Sequence, residues 1–293
     1  MVKRTLFFGS SCRLSLKNCQ LVIENKETGE IKTCPIEDIG YAVIEDQSVS
    51  ITIPAMDALA KNNVAVVFCD AKKMPSSMLL NLESNNVLAE VYKTQIEASV
   101  PLKKNLWKQI VSAKIENQAR LLNELGKDGD SLKPYYMNVK SGDSDNREGI
   151  AARMYWRLLF GSDFVRSRDG GMPNGMLNYG YSILRAGMAR AIMGSGLFPA
   201  FGLFHKNRYN AFPLADDLME PYRPYVDQIV YELVSRGINK LDINAKQELL
   251  RVFFKDTTFG TITRPMEVGL SITTASLVKC FNGEAKQLSF PIL

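Results

Sequence analysis

The chain has 293 residues, 46% of them hydrophobic, and its 36 basic and 31 acidic side chains give a net charge of +5. That length and apolar content suit one large core or two modest domains and exclude a chain dominated by disorder. No run approaches the roughly 18 uninterrupted apolar residues of a membrane span, and the apolar stretch near the start is too short for a signal sequence, so a cytoplasmic protein without membrane contact is expected.

Residues 5–9, 13–16, 20–24, 31–36, 39–45 and 49–53 are short runs separated by turn-forming residues, and they read as strands. Pro54 opens a short helix over 55–61, and the apolar run 64–69 reads as a buried strand. Beyond residues 74–77 the pattern becomes helical, over 88–93, 104–125, 149–160, 177–193, 214–235 and 246–254, with a polar break at 126–131. The expected fold class is α+β, with a small, mostly β N-terminal domain at residues 1–76 and a larger all-α domain at residues 77–293. There is no internal repeat.

The five cysteines are odd in number and show no C-x-x-C spacing, which points to buried thiols. Zinc is disfavoured, because the one histidine lies far along the chain from any cysteine that would complete a tetrahedral set. Residues 1–76 carry nine basic and nine acidic side chains, so the whole excess of positive charge lies in the second part. Within 147–208, eight arginines and one lysine face only Glu148, Asp163 and Asp169. The planar guanidinium suits phosphate oxygens, although a solvated helical surface has the same composition.

That basic segment also contains the candidate metal ligands. His205 precedes two carboxylates, Asp217 and Glu220, which lie three apart and face the same way on a helix, whereas Asp216 points elsewhere. Pro221 disfavours helical geometry at Glu220, so a kink is expected there. Glu148 is the third acidic candidate. It stands three residues after Asp145, and this pattern reads equally as a capping box at the start of a helix. His205 reads either as packed filler or as a ligand. One imidazole with two or three carboxylates suits Mn²⁺ or Mg²⁺, and an arginine-rich surround suits phosphodiester chemistry.

The glycine-rich run 170–184 lacks the order of a phosphate-binding loop. Asn174 or Asn178 is placed to begin the following helix, Gly180 and Gly187 to let helices approach, and Tyr179 and Tyr181 to enter the core.

Taken in order, Asn146-Arg147-Glu148-Gly149, the run Leu177-Asn178-Tyr179-Gly180-Tyr181, Gly202-Leu203-Phe204-His205 and Asp217-Leu218-Met219-Glu220-Pro221-Tyr222-Arg223-Pro224 resemble the CRISPR-associated spacer integrases, the metal-dependent subunits of the CRISPR adaptation complex. The resemblance is closest to members from type II systems, and it is weak over residues 236–293. It implies Mg²⁺ or Mn²⁺ bound by Glu148, His205 and Glu220 as catalytic ligands, with Asp217 supporting them. It also implies a homodimer through the N-terminal domain and a small ferredoxin-like partner subunit. Other type II adaptation proteins and the RNA-guided effector nuclease are further partners it implies. The activity implied is insertion of a double-stranded DNA fragment into a repeat array by attack of a 3′-hydroxyl on a phosphodiester. Arg166, Arg168 and Arg208 are the candidate DNA contacts. A metal-dependent repair nuclease and a non-catalytic DNA-binding scaffold are the alternatives.

Overall fold

The structure, a computed structural model, describes residues 3–83 and 85–293; Met1 and Val2, which head the stretch weighed above as a signal sequence, and Ser84 lie outside it. The chain divides into two compact units, Met1–Asn86 and Val87–Leu293.

The first unit contains β1 (Arg4–Phe8), β2 (Cys12–Lys17), β3 (Gln20–Asn25), β4 (Ile31–Pro35), β5 (Ile39–Ile44), β6 (Ser50–Ile51), α1 (Ile53–Lys61), β7 (Ala65–Cys69) and β8 (Pro75–Leu79). One sheet has the order β1-β5-β7-β8, with β5 parallel to both β1 and β7. Its central strands are the most continuously apolar runs because side chains on both faces are buried. The second sheet, β4-β3-β2-β6, is antiparallel apart from the short β2–β6 pair. Helix α1 packs on β2 and on β7, so Ala55 and Leu59 join Leu14, Leu21, Ile39 and Val66 in a single core. A boundary after residue 76 would cut β8. Pairing of β8 with β7 keeps that segment in the first unit.

The second unit comprises α2 (Leu88–Glu97), α3 (Val100–Glu124), α4 (Lys133–Met137), α5 (Arg147–Phe160), α6 (Asn174–Gly194), α7 (Pro213–Leu218), α8 (Arg223–Ser235), α9 (Ile243–Leu250) and α10 (Met266–Phe281). It is not all-α. Strands β9 (Asp256–Phe259) and β10 (Ile262–Pro265) form an antiparallel hairpin ahead of α10, built from β-branched and aromatic residues around Gly260, whose φ of +59° suits the turn.

Helix α6 is apolar almost all round and lies in the core of this unit. A Cβ at Gly180 would stand 2.4 Å from Val226, and one at Gly187 would stand 2.3 Å from Phe253, so both glycines are where neighbouring elements touch the helix backbone. The expected helix over 214–235 is interrupted at the proline: α7 ends at Leu218, a 3-10 turn covers Glu220–Tyr222, and α8 resumes at Arg223. No helix among the described residues is long and apolar enough to cross a membrane.

Candidate metal centre and arginine cleft

Three segments of the second unit bring Lys114, Glu148 and Glu220 together. Lys114 lies on α3 among the core positions Trp107, Ile110, Val111, Ile115 and Gln118, so helical periodicity points its stem inward. Its ammonium stands 2.5 Å from Glu148 Oε1 and 2.6 Å from Glu220 Oε2. Arg223, one turn beyond the proline kink, reaches the other oxygen of Glu220 at 2.9 Å. Burial pushes the Glu220 carboxyl up, but Arg223 and Lys114 outweigh it and hold the group below the usual carboxylate range. Burial opposes charge on Lys114 as well, and there Glu220 and Glu148 prevail and raise it.

Glu148 is presented by the start of α5. The helix cap is Asn146, with φ +53°, whose side-chain oxygen accepts from the Gly149 amide at 3.2 Å. Asp143 accepts from the amides of Arg147 and Glu148 at 2.8 and 3.2 Å. The capping-box reading is therefore corrected. Asp145 pairs with Arg147 at 2.8 Å, and the Glu148 carboxylate reaches across to α3.

His205 and Asp217 form the neighbouring pair. His205 Nδ1 lies 2.5 Å from Asp217 Oδ1, and the fully buried Asp217 also accepts from the backbone amides of Leu203 at 2.7 Å, Phe204 at 3.0 Å and His205 at 3.3 Å. The hydrogen bond to Asp217 outweighs the burial of the ring and raises the imidazole above its ordinary value, and the charges of Glu220 and Glu148 act in the same sense. With Nδ1 engaged, Nε2 is left without a hydrogen-bond partner among the described residues. The ring stands edge-on to Trp107 at 5.5 Å, while Trp107 stacks on Phe204 at 4.4 Å. Gly202 is needed before this turn because a Cβ there would stand 2.6 Å from the His205 carbonyl and 3.1 Å from Asp217 Oδ2. Asp216 faces away, to Arg185 at 2.6 Å and Asn210 at 2.7 Å.

Among the described residues no three His, Cys, Asp or Glu side chains are already arranged to hold a metal ion. Two carboxylates instead converge on one buried cationic nitrogen beside an imidazole backed by a carboxylate. This donor set fits a hard divalent cation such as Mn²⁺ or Mg²⁺. Glu220 Oε2 is buried and has no well-directed hydrogen bond, despite its closeness to Lys114.

A cleft of about 350 Å³ is walled by Arg166, Arg168, Arg185 and Arg223, with Asn178 and Tyr181 beside them. Arg223 thus belongs both to the cleft and to the Glu220 pair. Arg166 is held by Asn174 at 3.0 Å and Asn178 at 2.7 Å. The Tyr181 ring lies under Arg166 at 5.4 Å and under Arg223 at 4.5 Å. The hydroxyl of Tyr181 donates to Asp227, which also accepts from Tyr155 at 2.8 Å. Burial pushes the Asp227 carboxyl up to about 6 in spite of those two bonds. Of the three arginines expected to meet DNA, Arg166 and Arg168 line this cleft, whereas Arg208 is exposed outside it and packs on Tyr209 at 4.7 Å. Arg185, Arg223 and Lys114 were not singled out from sequence. Lys114 carried a readable sign, a charge on the buried stripe of an amphipathic helix.

Comparison with known proteins bears on this geometry. The model of the family described as CRISPR associated protein Cas1 matches residues 6–267. A CRISPR-associated endonuclease Cas1 from Neisseria meningitidis serogroup C is 39% identical over 255 residues, covering 86% of this chain and 83% of that protein. The fold is similar to that of a casposase bound to an integration product, with a TM-score of 0.81 at 21% identity over 98% of this chain and 92% of that one. It is also similar to a chain of a Cas6-RT-Cas1–Cas2 complex, with a TM-score of 0.75 at 20% identity over 97% of this chain and 35% of that one.

Proposed function

The chain belongs to the CRISPR associated protein Cas1 family, and on that premise we propose that it is a divalent-metal-dependent DNA integrase and endonuclease that inserts short double-stranded fragments into a repeat array. The observation that carries this reading is the meeting of Glu148 and Glu220 on one cationic nitrogen, at 2.5 and 2.6 Å, beside His205 and next to a cleft walled by four arginines. The endonuclease name of the Neisseria relative and the integration product held by the casposase are in keeping with it.

Glu148, His205 and Glu220 would hold Mg²⁺ or Mn²⁺, with His205 using Nε2 because Asp217 takes Nδ1. When bound, the ion supplies Lewis-acid polarisation of the phosphate and lowers the pKa of an attacking hydroxyl. Arg223 fixes the outer oxygen of Glu220 and, with Arg166, Arg168 and Arg185, sets phosphate oxygens in the cleft, where the guanidinium fork offsets charge that builds on phosphorus. In the proposed reaction the 3′-oxygen of the fragment forms a new bond to a repeat-border phosphorus. The bond from that phosphorus to the departing 3′-oxygen breaks. The attacking hydroxyl gives up its proton and the leaving oxygen takes one up, so no water is consumed. Water in place of the hydroxyl turns the same chemistry into hydrolysis, the endonuclease activity.

The assembly belongs to the same proposal. The first unit, whose residues 1–76 carry no net charge and which is built on short strands, would form the homodimer, and the second would hold the catalytic centre. A small ferredoxin-like subunit, corresponding to the Cas2 of the complex above, is the proposed partner, joined in a type II system by other adaptation proteins and the effector nuclease. The test is to supply a labelled duplex with either a 3′-hydroxyl or a 3′-deoxy end together with a repeat-bearing plasmid. Joined product from the hydroxyl end alone supports the integrase. Cut plasmid without any joined strand, whichever end is supplied, points to the repair nuclease instead.

A further inference from the structure

We propose that Lys114 is the resident cation of the metal centre: it holds Glu148 and Glu220 together before a divalent ion arrives, and the ion must displace it, so Lys114 sets how tightly the site takes metal. This rests on reading Glu148, His205 and Glu220 as a metal site.

The argument begins with where the lysine is placed. A lysine on the buried stripe of α3, only 12% exposed at its side chain, is costly unless its charge is matched. The match comes from two carboxylates on two other elements, the start of α5 and the 3-10 turn after α7. Those carboxylates would otherwise face each other across a site sheltered from water, and like charges there repel strongly. Lys114 therefore does for the metal-free protein what a bound cation would do, and it holds the oxygens close.

The same geometry makes it a competitor. Lys114 and Arg223 already balance Glu148 and Glu220, and the ammonium lies within 2.6 Å of an oxygen of each carboxylate. An ion bound to those two oxygens would have to occupy nearly the place of Lys114 Nζ, where a divalent ion and an ammonium repel each other. Arg223 does not conflict, because it holds Glu220 Oε1, the oxygen turned away from Lys114. Lys114 is the group able to leave. Its flexible four-carbon stem ends beside Glu148, the more exposed of the two carboxylates at 23%, and Glu220 Oε2, which the ammonium approaches, receives no well-directed hydrogen bond from it.

The experiment uses the full chain and Mn²⁺ alone. Free Mn²⁺ is titrated by electron paramagnetic resonance against wild type, Lys114→Met, which keeps the bulk of the stem, and Lys114→Arg. Unfolding temperature is recorded in EDTA and in saturating Mn²⁺. Lys114→Met should bind Mn²⁺ at least tenfold more tightly than wild type, unfold at a lower temperature in EDTA and gain more from Mn²⁺; Lys114→Arg should not bind more tightly than wild type. Wild-type or weaker affinity in Lys114→Met overturns the proposal while leaving the metal site standing. No saturable Mn²⁺ binding by wild type overturns both. Should Lys114→Met fail to fold, ¹⁵N spectra of the lysine ammonium groups in wild type decide the matter. The Lys114 signal, identified by its loss in Lys114→Arg, should shift and lose its protection from solvent exchange when Mg²⁺ is added. An unchanged signal at saturation refutes the displacement.

Discussion

Asp217 binds His205 twice over, through the imidazole Nδ1 at 2.5 Å and through the backbone amide of the same residue at 3.3 Å, and with the same carboxylate it also takes the amides of Leu203 and Phe204. One buried side chain thus sets both the loop that carries the histidine and the nitrogen it presents. Asp217→Asn replaces an acceptor by a donor in front of N–H groups that need acceptors. It should cost about 1–3 kcal/mol of stability and lower metal affinity by roughly 10–100-fold. Denaturant unfolding and Mn²⁺ titration check the two effects, and the account requires both to be present.

The arginine cleft predicts which basic residues carry the salt dependence of DNA binding. Arg168 lines the cleft, and its guanidinium has no hydrogen bond or ion pair among the described residues, which makes Arg168→Ala a clean test. It should weaken binding to all sequences alike and flatten the log-log salt slope on duplex DNA by about 0.9, the value for one phosphate contact. Arg208→Ala, outside the cleft, should leave the slope nearly unchanged in the same titration.

Asp227 makes stability depend on pH. Its folded pKa, about 6, lies above the ordinary 3.8, so its contribution is fully present below 3.8 and is lost as pH rises through 6. Asp227→Asn removes that dependence. Relative to the wild type, the variant should gain on the order of 2 kcal/mol between pH 4, already just above the unfolded value, and pH 7.5. Denaturant unfolding of both proteins at the two pH values checks the sign; a relative loss for the variant at the higher pH would contradict it.

The start of α5 separates capping from chemistry. Asn146→Ala should cost about 0.5–2 kcal/mol through the lost cap in the wild-type and Lys114→Met backgrounds alike, whereas Glu148→Gln leaves the cap bonds in place and should destabilise only where Lys114 is present to lose its ion pair. Thermal unfolding of the two variants without metal, in each background, compares them directly.

How much of this was legible in sequence follows from which forces were local. The strands and helix of the first unit were readable because alternation, apolar runs and Pro54 act within a few residues, and the break at Pro221 was readable for the same reason. β8 was not: an edge strand with Ser76 and Ser77 exposed carries no apolar period and resembles a turn. The β9–β10 hairpin and α10 lie where the motif resemblance was weak, and two strands of four residues, with Thr257 buried but Ile262 exposed, give little periodic signal. Glu148, His205, Asp217 and Glu220 were picked out by residue type and order. Their partners were harder to see, because the pairings of Lys114 with Glu148 and of Tyr155 with Asp227 join residues far apart in the chain.

The central claim is that Glu148, His205 and Glu220 act through one divalent ion to join DNA. It is tested most directly by a strand-transfer assay with Glu220→Ala, in which a labelled duplex is incubated with a repeat-bearing plasmid in Mn²⁺, and DNA binding by the same preparation is measured alongside. The account predicts that wild type yields joined product, that EDTA abolishes it, and that Glu220→Ala binds DNA as wild type does yet forms none. Joined product from Glu220→Ala at a near-wild-type rate would contradict it.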